Sequence, residues 1–171
     1  MLIRPETPTD IPLIYAVNQL AFDGRQEEPD LVDAIRLSDD FIPELSIVAE
    51  DNGRVVGHIL FSRIHIDTRT GPIPALSLAP LAVLPAFQNR GIGSALVRQG
   101  LEECRRLGHA IVIVLGHPDY YPRFGFSAGL AKALECPYGD VGAAWMALEL
   151  VPGALDGVRG KVVYPPVFDG V

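Results

Sequence analysis

The amino-acid sequence predicts an α+β domain, in which helices flank a mixed and mostly antiparallel sheet. Two observations carry this prediction. First, the turn sequence at residues 51–54 separates two apolar segments, which is typical of a β-hairpin. Second, an apolar strand, an amphipathic helix and a Val/Ile strand follow one another between Ala75 and Leu115. Such a strand–helix–strand crossover joins parallel strands, and its single occurrence differs from the alternating pattern of a doubly wound dinucleotide fold.

The first part of the chain contains signals for two helices and three strands. Thr7 or Thr9 can cap the first helix, and Asp10 favours its first turn, where backbone N–H groups have no partner. The apolar residues of this helix recur at helical spacing, namely Ile11, Ile14, Tyr15, Val17 and Leu20. We expect a strand at residues 2–4, this helix, a second helix at residues 29–37, and strands at residues 45–50 and 55–66.

The second part of the chain is expected to begin with a loop at residues 68–74. A strand at residues 75–84 is apolar on both faces, so we expect it near the centre of the sheet. The remaining expected elements are a helix at residues 88–108, a buried strand at 110–115, a short helix at 119–123, a strand at 143–151 and a last edge strand at 162–164.

Composition disfavours several classes of protein. The chain has 171 residues, of which 49% are hydrophobic and 20% are charged, and this balance is typical of a globular domain. Its formal net charge of −7 disfavours nucleic acid as a partner, because such binders need a basic surface. Two cysteines are too few for a disulfide framework or a four-thiolate zinc site, and we expect no metal. A cytoplasmic protein without a membrane partner is expected, since the sequence shows neither a signal peptide nor an apolar run of membrane-spanning length.

The segment most informative about function lies where the central strand ends and the long helix begins. It reads Gln88-Asn89-Arg90-Gly91-Ile92-Gly93-Ser94. The first turn of a helix offers free N–H groups and the positive end of the helix dipole, which together bind anions. Gly91 and Gly93 let a phosphate approach the backbone closely, and Arg90 adds a cation. An ordinary strand-to-helix turn, with glycines for tight packing, is the alternative.

Two other nucleotide-binding motifs match this segment less well. The dinucleotide fingerprint requires Gly-x-Gly-x-x-Gly in the first strand–helix unit, whereas only Gly91 and Gly93 match and they lie in the middle of the chain. A P-loop requires a lysine directly after its glycines, and this region of the sequence has none.

The same segment resembles the Gln/Arg-x-x-Gly-x-Gly/Ala signature of GNAT-type N-acetyltransferases. The preceding Leu81-Ala82-Val83 is similar to their acetyl-CoA-binding strand, and Tyr121-Pro122-Arg123-Phe124-Gly125-Phe126 is similar to their Tyr-x-x-x-Gly-Phe segment. Residues 116–121 resemble a compact bacterial subgroup, sometimes called YhbS-like. The resemblance covers residues 2–151. It implies a GNAT-like fold, with an acetyltransferase domain at residues 1–151 and an extension at residues 152–171 that packs on the same domain.

This resemblance implies an acetyl-CoA site. The cofactor-binding residues that it implies are Leu81, Ala82, Val83, Gln88, Asn89, Arg90, Gly91, Ile92, Gly93, Ser94 and His117. Backbone groups of the strand would pair with the pantetheine amides and polarise the acetyl oxygen, and the helix start would hold the pyrophosphate. Tyr121 would act as the general acid that protonates the leaving thiolate. Many members carry an Asn after the fifth strand, whereas this chain has Gly116-His117-Pro118.

The resemblance further implies direct transfer of the acetyl group to a primary amine in a ternary complex. The amine belongs to a small molecule or a protein, and the negative net charge favours a cationic one. Glu50 and His58 are candidate bases. The acidic stretch at residues 26–30 is either a solvated loop or a guide for a cationic acceptor. A non-catalytic acyl-CoA-binding sensor is the alternative function. The last strand either completes a sheet in a homodimer or covers an edge of the sheet.

Overall fold

One long β-hairpin forms the centre of the sheet. The computed structural model describes residues 1–170, and its hairpin pairs β3 (Arg54–Thr68) with β4 (Gly71–Val83) in antiparallel orientation. The other strands are β1 (Leu2–Pro5), β2 (Ser46–Asp51), β5 (Ile111–Leu115), β6 (Leu134–Glu135), β7 (Trp145–Glu149) and β8 (Gly160–Val163). The strand order is β1-β2-β3-β4-β5-β7, and β8 pairs with both β3 and β6.

The predicted parallel crossover is confirmed. The helices are α1 (Ile11–Ala21), α2 (Glu27–Arg36) and α3 (Ile92–Arg106). α3 connects β4 to β5, and these two strands are parallel, with Leu76 opposite Val112 and Ser77 opposite Ile113. The mixed, mostly antiparallel sheet expected from the sequence is therefore present. Within residues 1–170, no helix combines the length and the hydrophobicity that crossing a membrane requires.

The prediction of a loop at residues 68–74 is wrong. β3 continues to Thr68 and β4 resumes at Gly71, so that the hairpin turn is tight. Pro72 and Pro74 indicated a break because proline cannot donate a hydrogen bond to a strand ladder. In this part of the described chain, however, β4 has β3 as its one neighbour, since its pairing with β5 begins further along. Prolines are tolerated on such an edge.

Two helices begin at residues other than those expected. α2 begins at Glu27, and Pro29 lies in its first turn, where the missing N–H of proline is not needed. α3 begins at Ile92 instead of residue 88. The reason is that Asn89 and Gly91 have left-handed backbone conformations, with φ of 62° and 82°, which a right-handed helix does not accommodate.

α1 and α3 cover opposite faces of the sheet. The neighbouring residues Gly57 and His58 on β3 demonstrate this, because successive side chains of a strand point to opposite faces. A Cβ atom at Gly57 would lie 3.0 Å from Leu96 of α3, whereas the His58 ring hydrogen-bonds Asn18 of α1. The sheet is consequently buried on both faces, which explains the long apolar runs of β3 and β4.

The residues after β7 pack on the same sheet. The strand expected at residues 162–164 lies at Gly160–Val163, where it pairs antiparallel with β3 and parallel with β6. Val162 is fully buried, and Phe168 is buried in the core that contains α1 and α2.

A series of hydrogen-bonded polar side chains connects α1 to α2 by way of residues on the sheet. The fully buried His58 has Nδ1 3.1 Å from Asn18 Nδ2 and Nε2 2.9 Å from Ser46 Oγ. Ser46 donates to the carboxylate of Glu6, which in turn accepts from Arg36 Nε at 2.9 Å. These directions assign the single proton of a neutral imidazole to Nε2. Burial, aided by the charge of Arg36, lowers the pKa of His58 to about 3.

Protein stability should therefore decrease with falling pH in a manner that depends on His58. Unfolded histidine titrates near 6.5 and folded His58 near 3, so the unfolded state binds more protons across this interval. The free energy of unfolding should fall by up to about 1.4 kcal/mol per pH unit below about pH 6, and His58→Gln should lack this contribution. Urea unfolding at pH 7 and pH 5 measures both proteins. Equal pH dependence in the two would contradict the assignment.

Candidate active site

A cleft opens where β4 and β5 separate. Within residues 1–170 the two strands pair only through Leu76 and Ser77 of β4. A β-bulge between Leu78 and Leu81 then offsets β4 relative to β3, and Pro80 in this bulge has no N–H to donate to a neighbouring strand. The strands diverge from this point, and the cleft that they help to line has a volume of about 820 Å³.

The exposed edge of β4 presents to the cleft backbone groups that no neighbouring strand pairs within residues 1–170. Leu84 N donates to Val56 O of β3 at 2.9 Å, so the backbone of Leu84 faces β3. Because hydrogen-bonding direction alternates along an antiparallel strand, Ala82 also faces β3, whereas Leu81 and Val83 face the opposite side. Leu81 and Val83 both line the cleft. This edge can therefore accept an extended amide chain as an additional strand.

The first turn of α3 presents further backbone donors to the same cleft. The first hydrogen bond of the helix runs from Ala95 N to Gly91 O at 3.0 Å, so the N–H groups of Ile92, Gly93 and Ser94 precede the helical ladder. No side chain within the described residues caps this terminus. The free N–H groups and the positive end of the dipole together form a site for a phosphate-like anion.

Arginine side chains add positive charge near this terminus. The guanidinium carbons of Arg90 and Arg54 lie 5.2 Å and 5.7 Å from the centre of the Phe87 ring, so one aromatic ring holds two cations. Arg123 lies 4.6 Å from the centre of the Tyr120 ring, and both of these residues line the cleft. Although the whole chain is acidic, the surroundings of α3's first turn therefore attract anions.

Two consecutive tyrosines follow β5 and line the cleft. The Tyr120 hydroxyl lies 3.1 Å from Ser94 Oγ, at the start of α3. Tyr121 is buried, and its ring packs edge-on against the rings of Tyr120 and Phe126, at centroid distances of 5.1 Å and 5.7 Å. Burial raises the pKa of Tyr121 well above its usual range, so the hydroxyl is protonated at neutral pH. Tyr121 therefore contributes a neutral hydroxyl side chain to the lining of the cleft.

Most residues that the sequence assigned to a cofactor site line this cleft. They are Leu81, Val83, Gln88, Asn89, Gly91, Ile92, Gly93, Ser94 and His117, together with Tyr121. Gln88 Nε2 donates to Val83 O at 3.0 Å and thereby connects the end of β4 to the turn before α3. Ala82 is buried with its backbone towards β3, and the Arg90 side chain stacks on Phe87, so these two residues lie outside the cleft lining.

Both candidate bases lie outside the cleft lining. Glu50 at the end of β2 accepts a hydrogen bond from Arg4 Nε of β1 at 3.3 Å. His58 is enclosed in the core by Asn18 and Ser46. As a candidate base, Glu50 is thus misplaced, because its carboxylate is held in an ion pair between β1 and β2 instead of lining the cleft.

Several residues of the cleft were not identified from the sequence. Phe22, Glu28 and Leu31 line it from α2 and the segment before it, and Arg123 lines it from the segment after β5. The acidic stretch at residues 26–30 was apparent, but no sequence pattern shows which of its carboxylates turns inward. Within residues 1–170, no three His, Cys, Asp or Glu side chains are grouped in a way that holds a metal ion.

The fold and the cleft together define an acyltransferase. They combine a free strand edge, an anion-binding helix terminus and a neutral tyrosine, which together suit a long anionic substrate that contains amides. The family model described as "Acetyltransferase (GNAT) domain" matches residues 2–129, and this chain belongs to that family of N-acetyltransferases.

Relatives of known structure support the same assignment. The chain is 34% identical over 169 residues to the N-acetyltransferase YhbS of Escherichia coli strain K12, with 99% of both chains covered. The crystal structure of E. coli YhbS in complex with CoA matches at a TM-score of 0.88, over 98% of this chain and 91% of that one. The crystal structure of a GNAT family acetyltransferase from Brucella melitensis, in complex with acetyl-CoA, is 35% identical in sequence. It matches at a TM-score of 0.81, over 98% of this chain and 97% of that one. The GNAT-like fold expected from the sequence is confirmed.

The position of the Tyr121 ring should depend on the absence of a side chain at Gly116. A Cβ atom at Gly116 would lie 2.9 Å from Tyr121 Cδ2, closer than van der Waals contact permits. Gly116→Ala should therefore lower the free energy of unfolding by about 1–3 kcal/mol through overpacking. The same substitution should cost much less in a Tyr121→Leu background, where the ring is gone. Urea unfolding of the four proteins tests this, and equal costs in both backgrounds would refute it.

Proposed function

We propose that this enzyme transfers the acetyl group of acetyl-CoA directly to a primary amine, in a ternary complex. The separation of β4 from β5 beside the uncapped first turn of α3 is the observation that carries the proposal. The two relatives described with CoA and acetyl-CoA support the choice of donor, since each is about one third identical to this chain and shares its fold.

The donor is proposed to lie along β4 with its phosphates at α3. The outward N–H and C=O groups of Leu81 and the outward N–H of Val83 would pair with the amides of the pantetheine arm, as in an added strand, while Val83 O keeps its hydrogen bond from Gln88. The N–H groups of Ile92, Gly93 and Ser94 would bind the pyrophosphate, assisted by the positive end of the dipole. Arg123 lines the cleft and offers a guanidinium to phosphate oxygens.

The acetyl carbonyl requires a donor for its developing negative charge. An outward backbone N–H of β4 is proposed to supply it, because such a group is fixed in position before the reaction begins. One donor of this kind is worth about 3–4 kcal/mol of transition-state stabilisation in other acyl-transfer enzymes.

The proton balance of the transfer assigns a role to Tyr121. A primary alkylammonium ion must first lose a proton, and only about one molecule in 2,500 is neutral at pH 7. The neutral amine attacks the thioester carbon, the C–S bond breaks, and the amide nitrogen loses its second proton. The CoA thiolate takes up one proton, so that the reaction releases one proton in total. Tyr121 is proposed to donate to this thiolate, because its hydroxyl stays protonated in the cleft.

Tyr121→Phe should therefore lower kcat by at least about tenfold while leaving the Kd for acetyl-CoA within about twofold. Thiol release from acetyl-CoA, measured with a panel of alkylamines, polyamines, amino acids and aminoglycosides, reports turnover. Tyr138→Phe is the matched control, since Tyr138 is 46% exposed and outside the cleft. An unchanged kcat in Tyr121→Phe would refute the acid role. Binding of acetyl-CoA without turnover of any amine would favour a non-catalytic sensor.

A further inference from the structure

Glu28 places a carboxylate in the cleft lining, and the acetyl transfer proposed above assigns no role to it. It lies in the first turn of α2 and lines the cleft. Its Oε1 atom accepts a hydrogen bond from Arg25 Nη2 at 2.6 Å. Its Oε2 atom is buried and has no hydrogen-bond partner among residues 1–170. One half of this carboxylate is thus paired and the other half is not.

An unpaired carboxylate oxygen in this position favours the binding of a cation. Each carboxylate oxygen can accept two hydrogen bonds, and burying one without a donor costs free energy. The cleft residues that α2 and the segment before it contribute beside Glu28 are Phe22 and Leu31, whose side chains have no donor to offer. An ammonium group that enters the cleft would satisfy Oε2 with a charge-assisted hydrogen bond once rotation of the carboxylate turns this buried atom towards the cleft.

The neighbouring acidic residues do not share this environment. Glu27 and Asp30 are exposed and outside the cleft lining, and Asp30 accepts a hydrogen bond from the Tyr15 hydroxyl at 2.9 Å. A general role in balancing the dipole of α2 would apply to Glu27 as much as to Glu28, whereas a role in substrate binding applies to Glu28 alone.

We propose that Glu28 binds the ammonium group of the acceptor, and that the acceptor is a primary amine on an apolar alkyl or arylalkyl group. The inference rests on the proposed acetyl transfer, because the acceptor must reach the cleft that contains Tyr121. Phe22 and Leu31 supply the apolar surface for the carbon chain of the amine, and Glu28 supplies a carboxylate beside it. Arg25 holds Oε1 and leaves Oε2 for the ammonium group, which loses one proton to solvent before the neutral nitrogen attacks the thioester.

The test compares Glu28→Gln with Glu27→Gln, using 2-phenylethylamine as the acceptor. In Glu28→Gln the KM for this amine should rise by at least about tenfold, which is the loss expected for one charge-assisted hydrogen bond. Glu27→Gln should match the unaltered enzyme, and Glu28→Asp should retain part of the affinity because it retains the charge. O-benzylhydroxylamine, which is uncharged at pH 7.5, should be affected far less by Glu28→Gln, since it carries no ammonium group.

The outcomes separate this inference from the proposed function. Equal KM values in Glu28→Gln and Glu27→Gln, or equal effects on the charged and uncharged acceptors, would overturn the role of Glu28. Calorimetric titration with acetyl-CoA accompanies each variant. If the unaltered enzyme binds acetyl-CoA but acetylates neither 2-phenylethylamine nor n-hexylamine, the role of Glu28 is overturned and the donor site stands. If it does not bind acetyl-CoA, both proposals fail.

Discussion

The divergence of β4 from β5 is the constraint on which the site depends. Had β5 continued beside β4 beyond Leu115 in the same register, the outward backbone groups of Leu81 and Val83 would bond to it and no cleft would exist. The bulge at Pro80 ends the pairing, and proline cannot restore it because it lacks the N–H that a ladder needs. The unpaired edge then faces the first turn of α3, so strand edge and helix terminus share one cavity.

The charges of this cavity suit two different substrates. Arg54 and Arg90 stack on its Phe87, and Arg123 stacks on Tyr120, whose hydroxyl lies 3.1 Å from Ser94 Oγ at the start of α3. Glu28 contributes a carboxylate from α2. In the proposed arrangement, the arginines favour the anionic donor and Glu28 favours a cationic acceptor, so that neither substrate binds well in the place of the other.

Local patterns predicted the parts of the fold that local interactions determine. The hairpin followed from its turn residues, and the crossover followed from apolar periodicity, because both signals are contained in short segments. Pro72 and Pro74 led to the wrong prediction of a loop, because a strand tolerates proline only where no second strand pairs with it, and local sequence does not show which strands are neighbours. The motif resemblance located the helix terminus and Tyr121. It did not locate Glu28 or exclude Glu50, because which carboxylate faces the cleft is settled by packing between distant segments.

The most direct test of the account is calorimetric titration of the unaltered protein and of Gly93→Val with acetyl-CoA. A valine at this position would crowd the Tyr120 hydroxyl, which lies 3.1 Å from the Cβ position, and would block access to the backbone donors of α3. The account predicts micromolar binding that weakens by at least about tenfold in Gly93→Val. Gln99→Val, on the exposed side of the same helix, should bind as the unaltered protein does. Equal affinity in all three folded proteins would contradict the placement of the phosphates at α3.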